Sequence, residues 1–162
     1  MLYRVFLVVV LVCATAPLFA EIGPPTDIAV RAKGAARIVV AQVTDVQSRF
    51  ETNRFGDQLI VSTLFVDVSE TLKGAPAAVL QVLVEGGTVG DLTLRVSDLP
   101  EMRAGDRAVF FLDSGPPGLQ VPHLRGRGIL KVTQTERIEG AAATTLSDVR
   151  QQVTAALADG GR

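Results

Sequence analysis

His123 is the sole histidine of the 162-residue chain, and it is the natural starting point for proton transfer near neutral pH. It stands between Pro122 and Leu124-Arg125. No second histidine exists to begin a zinc set, which needs three or four nitrogen, sulfur or oxygen ligands. The serines lack a Gly-x-Ser-x-Gly elbow, and a Ser–His–Asp arrangement would have to use His123 with nothing local to mark its serine. Glu85, just before Gly86-Gly87, is a candidate acid/base partner for Asp67 or Glu70. Such couples work only at a set separation across a cleft, and solvated strand-end charges are the better reading. The stretch Gly86 to Gly90 lacks the Lys-Ser/Thr that completes a phosphate loop, and reads as a turn. Asp-rich calcium loops are absent. No catalytic residue, metal or cofactor is expected, and the chemistry points toward binding.

The residues best placed for binding are Arg54 and Phe55, in a turn at Asn53 to Asp57, together with His123, Arg125 and Arg127 in the Leu119 to Arg127 stretch. Two arginines around Gly126 could hold phosphates. Single-strand nucleic-acid binders, however, add aromatic platforms on which bases stack. The chain has no tryptophan and one tyrosine, Tyr3. Its 16 basic residues against 17 acidic ones create no strong field. A nucleic-acid partner is not expected.

Met1 to Arg4, the apolar run Val5 to Val12, and the smaller residues to Ala20 have the three parts of a secretory leader, with the cut expected after Ala20. Val5 to Ala20 is 16 residues, short of the roughly 20 a spanning helix needs, so no integral span is expected after cleavage. Arg4 leaves with residues 1–20, giving 15 basic against 17 acidic residues, a net charge of −2. Cys13 leaves too, and a cysteine-free mature chain excludes disulfides and thiolate chemistry. The expected location is periplasmic or extracellular, and the expected partner another envelope or extracellular protein.

The elements that must position these residues read as strands. Residues 21–35, with Gly23, Pro24 and Pro25, form an irregular N-terminal segment. A β domain is expected over 36–135. Arg37 to Val46 and Gln58 to Thr71 form a hairpin, followed by runs at Val79 to Val84, Leu92 to Val96, Arg107 to Leu112 and Gly128 to Thr133. Six strands without helical periods between them indicate a mainly β, antiparallel barrel or sandwich. Phe110 and Phe111 are adjacent and must face opposite ways; one is expected to cap the barrel beneath a C-terminal helix. That helix spans 145–159, with Thr145 and Asp148 as a capping box and Leu146, Val149, Val153, Ala156 and Leu157 at helical spacing.

Taken in order, Ile38 to Val43, the Ser62-Thr63 strand, Glu70 to Gly74, Val84 to Gly87 and Gly105 to Leu112 resemble small secreted bacterial β-barrel domains of OB-like type. A more distant likeness is to the netrin-like modules of tissue inhibitors of metalloproteinases. The resemblance covers residues 36–133 and implies an OB-like antiparallel barrel of about six strands. Inhibitors of that type bind the catalytic zinc through an N-terminal cysteine, whereas the mature chain here would begin at Glu21. That mechanism does not transfer. The expected function is a secreted, non-catalytic binding or interaction module. The alternatives are protease inhibition through the loops and an enzyme with an unrecognised site.

Overall fold

The structure, a computed structural model, describes residues 28–53 and 55–159; the leader-like residues 1–20, the Gly-Pro-rich stretch up to 27 and Arg54 lie outside them. The elements in chain order are α1 (Ile28–Gly34), β1 (Arg37–Thr52), β2 (Gln58–Lys73), β3 (Val79–Glu85), β4 (Gly87–Val89), β5 (Leu92–Leu94), β6 (Arg107–Ser114), β7 (Gln120–Pro122), a 3-10 turn (Arg125–Gly128), β8 (Ile129–Val132), β9 (Arg137–Ile138), β10 (Ala141–Thr145) and α2 (Leu146–Asp159). The chain is mainly β with a C-terminal helix, as the alternation of its residues indicates. Among the described residues no helix is long and apolar enough to cross a membrane.

Hydrogen bonding passes from β1 to β2, β3, β7 and β6, and β6 pairs back to β1. β8, β9 and β10 extend the sheet beyond β6, while β4 and β5 form a separate two-stranded unit. The pairings are antiparallel except at Val82↔Gln120, where β3 and β7 run parallel. The sheet is therefore mixed, which corrects the purely antiparallel expectation. The reason is parity: five strands pairing in a circuit cannot alternate direction all the way round. Once β2, β3, β6 and β7 are each set by an antiparallel neighbour, the last contact must be parallel.

β1 and β6 explain the unbroken apolar runs in the sequence. Their register places Ile38 opposite Phe111, Val39 opposite Phe110, Val40 opposite Val109 and Ala41 opposite Ala108. Side chains of adjacent strand residues leave on opposite faces, and here both faces are covered. Val39, Ala41, Ala108 and Phe110 join Val43, Leu64, Val66 and Val82 in one apolar cluster inside the strand circuit. Ile38, Val40, Val109 and Phe111 join Ile28, Ala32, Leu146, Val149 and Val153 in a second, under the two helices. Phe110 and Phe111 are both fully buried, one in each cluster. Phe111 is the one beneath the helices.

Residues 28–34 are helical, although the sequence reads as irregular over 21–35. Seven residues are too few for a helix to persist alone; α1 exists because other elements hold it. Ile28, Arg31 and Ala32 turn toward the core. Lys73, at the end of β2, donates from Nζ to the carbonyls of Ala32, Lys33 and Ala35 at 2.8, 3.0 and 2.6 Å. A cation there satisfies carbonyls that have no partner within the helix and opposes its dipole. The sequence also gives no warning of β4, β7, β9 and β10, since each has only two to five residues.

α2 begins where its capping box places it. Thr145 N–H donates to Asp148 Oδ2 at 2.8 Å, Thr145 Oγ1 donates to the same oxygen at 2.7 Å, and Asp148 N–H donates back to Thr145 Oγ1 at 3.2 Å. Leu146, Val149, Val153 and Ala156 form the buried stripe. Arg150 ties the helix to β2, with Nε and Nη2 each 2.8 Å from Glu70 Oε2. The hydrogen bonds from the Thr145 side chain, and then from its backbone, hold the Asp148 carboxyl below its ordinary value. They favour the carboxylate, so their contribution is complete above the unfolded value of about 3.9 and fades as pH falls through the lower folded value. Thr145→Ala is expected to destabilise the fold by about 1 kcal/mol in urea unfolding at neutral pH. Part of that difference between variant and parent should disappear once Asp148 is protonated in both.

Candidate functional site

A cleft of about 510 Å3 opens where the β4–β5 unit leans over β1, β2 and β3. Its floor is a pair of serines that the β1–β2 ladder sets directly opposite each other, Ser48↔Ser62. Their Oγ atoms are 2.9 Å apart, and Ser62 Oγ donates to the carbonyl of Gly86 at 2.6 Å. Ser62 has a single hydroxyl proton and spends it on Gly86, so Ser48 is the donor within the pair. The walls are apolar: Val46, Leu64 and Val84 from the sheet, then Leu94, Leu99 and Met102 from β5 and the segment after it. Thr88 and Thr93 also line the cleft, joined Oγ1 to Oγ1 at 2.9 Å across β4 and β5.

Charge is confined to Glu85, Arg95 and Glu101. Glu85 is ion-paired with Arg125. Glu101 accepts from Arg103 Nη2 at 3.1 Å. That hydrogen bond first, and the Arg103 charge next, hold its carboxyl below the ordinary range. Two of the carboxylates weighed as acid/base partners are engaged on separate elements, Glu85 with Arg125 and Glu70 with Arg150. Among the described residues no three His, Cys, Asp or Glu side chains gather.

His123, Arg125 and Arg127 lie on and beside the turn that braces the outer side of this cleft. Leu124 and Arg125 both have φ of 56°, in the left-handed region, where a side chain is strained. Close packing holds them there. At Gly126 a methyl group would lie 1.5 Å from the carbonyl oxygen of Asp98 and 2.8 Å from Leu99 Cα, so only glycine permits the approach. Leu99 is itself a cleft wall. Arg125 thus reaches Glu85 on one side while Gly126 seats on the other.

His123 sits between β6 and the end of α1. Its Nδ1 is 2.7 Å from Asp113 Oδ2, and Asp113 Oδ1 accepts the N–H of Ala36 at 3.2 Å. The opposite edge of the ring is covered by α1, since a methyl group on Gly34 would lie 2.5 Å from Nε2. Asp113 and His123 therefore join the end of α1 to β6 and to the residues after β7. The ring nitrogen that would act as a base faces the helix end, and the two cleft serines bond to each other and to Gly86.

Phe55 lies elsewhere. It is 74% exposed at the tip of the β1–β2 hairpin, past the last β2–β3 pair, Val61↔Glu85. Its expected neighbour Arg54 is outside the described residues. Leu119 lines a more open groove of about 480 Å3, shared with Arg49, Thr63, Phe65, Gln81 and Pro117. Sequence reasoning missed the serine floor. Register shifts in β1 at Val40/Ala41 and Val43/Asp45 decide which residues meet across the hairpin, and no spacing rule reveals them. It also missed Asp113, which is 10 residues from His123. The one usable signal was Gly86-Gly87, the turn that swings β4 over the sheet.

No known protein-family model matches the chain, and no curated protein matches it.

Gly126→Ala is expected to cost at least about 2 kcal/mol in urea unfolding, because backbone atoms rather than a flexible side-chain end meet the new methyl. The same substitution at Gly118, where nothing lies within 4 Å of the new carbon, should cost less; there only the positive φ is strained.

Proposed function

We propose that this chain is a secreted, non-catalytic binding module whose ligand seats in the cleft beneath β4–β5. The cleft carries the reading: about 510 Å3 falls within the range of small-ligand sites, which are apolar with a few placed polar groups. Its hydroxyls are satisfied internally, so it favours an apolar body over a reacting polar one. The groups suited to proton transfer serve structure instead, His123 through Asp113 and Glu85 through Arg125.

Two further observations support the wider reading. The five-strand circuit with its single parallel contact fits an OB-like barrel, an architecture that presents strand faces and loops to ligands. The leader-like residues 1–20 fit work outside the cytoplasmic membrane. We read the partner as another envelope or extracellular protein that offers an apolar side chain or short segment to the cleft.

The neutral fluorophore N-phenyl-1-naphthylamine tests the cleft, and capture from envelope and secreted fractions tests the partner. The parent chain is expected to bind the fluorophore saturably at one site and to retain a defined protein. Leu94→Trp, which fills the cleft from a half-buried position on β5, is expected to lose both while keeping its circular dichroism spectrum. Retention of both by the filled variant would sink the reading.

A further inference from the structure

Arg31 carries a positive charge into the apolar layer between α1 and β6, and among the described residues it has no ion pair. The residue is 6% exposed. Its Nε and Nη1 are buried without a hydrogen-bond partner, and its guanidinium carbon lies 6.0 Å from the centroid of the Phe111 ring. The ring face attracts the cation but offers its N–H groups no oxygen. These two nitrogens are the only buried side-chain polar atoms among the described residues left in this state.

The surroundings make the position worse. Burial first, and then the charge of Arg127, disfavour the protonated guanidinium. Arg127 is exposed on the 3-10 turn and has no ion pair among the described residues. Of the acids near the turn, Glu85 is committed to Arg125, and Asp113 to His123 and the Ala36 N–H. Both supports of the pair are anchored, α1 by Lys73 and the turn by the packing of Gly126 on Asp98 and Leu99. The turn that carries Arg127 packs on Phe111 as well, since a methyl group on Gly128 would lie 2.9 Å from the Phe111 carbonyl oxygen, and among the described residues neither guanidinium has an ion pair. Each offers a planar fork of N–H donors that matches the oxygens of a carboxylate or phosphate.

We propose that Arg31 and Arg127 form a binding site for an oxyanion, a carboxylate or phosphate group, at the junction of α1 and the 125–128 turn. The site is separate from the cleft and does not depend on what the cleft takes.

The test follows the thermal unfolding midpoint of the whole chain in sodium phosphate, sodium acetate and sodium chloride at equal ionic strength. A saturable rise above chloride is expected. A rise in phosphate alone identifies a phosphate group as the ligand, and a rise in acetate identifies a carboxylate. Arg127→Ala removes an exposed side chain and should weaken the apparent affinity on the order of 10-fold. Arg31→Met fills the same apolar slot without charge; it should fold at least as stably in chloride and show no anion response. Equal midpoints in the three salts would overturn the proposal, as would a rise that Arg127→Ala retains in full. Should Arg31→Met fail to fold, Arg127→Ala alone decides.

Discussion

The pairing of β1 with β6 is the constraint on which the rest of the molecule depends. Ile38 to Ala41 and Ala108 to Phe111 lie side by side, and each strand sends alternate side chains into two different apolar clusters. One pair of strands therefore serves as the inner wall of the strand circuit and as the platform for both helices. Burial of one full aromatic or branched side chain contributes roughly 1.5–3 kcal/mol. Concentrating such burial on both faces of this pair makes it the least replaceable part of the fold. Loss of the pair would open the strand circuit and undock α1 and α2 together.

Around that platform the polar contacts do the locating. Lys73 closes α1, Arg150 ties α2 to Glu70, and Asp113 with His123 joins the helix end to β6 and β7. Arg125 and Gly126 press the 3-10 turn against the outer wall of the cleft. Surface ion pairs of this kind contribute little stability individually. Their effect here is geometric, because each fixes one element against another over long sequence distances. The cleft is the product of that bracing. The β4–β5 unit shares no ladder with the main sheet, and its place over Ser48 and Ser62 depends on packing and on the carbonyl of Gly86.

Arg31 is the one place where this economy breaks. The other polar side chains buried among the described residues are bonded: Ser62 holds Gly86, and Thr63 accepts from Arg49 Nη1 at 3.1 Å. Two guanidinium nitrogens left without acceptors in the same interior are a cost that packing around Phe111 offsets only in part. Strained or unsatisfied positions of this sort commonly coincide with sites of interaction.

Much of the architecture was legible in the residues themselves. Alternation located the long strands, the Thr145–Asp148 box located the start of α2, and the adjacency of Phe110 and Phe111 put their rings on opposite faces. These signals are local, since they follow from the two-residue period of a strand and from hydrogen bonds within four residues. What the tertiary structure decided is long-range. The parallel β3–β7 contact follows from closing an odd circuit, and α1 from carbonyls answered by a lysine about 40 residues away. The serine floor depends on register shifts within β1, and the two unpartnered nitrogens of Arg31 on which side chains pack around them. None of these leaves a mark in spacing or composition, because each depends on which residues meet after the chain has closed on itself.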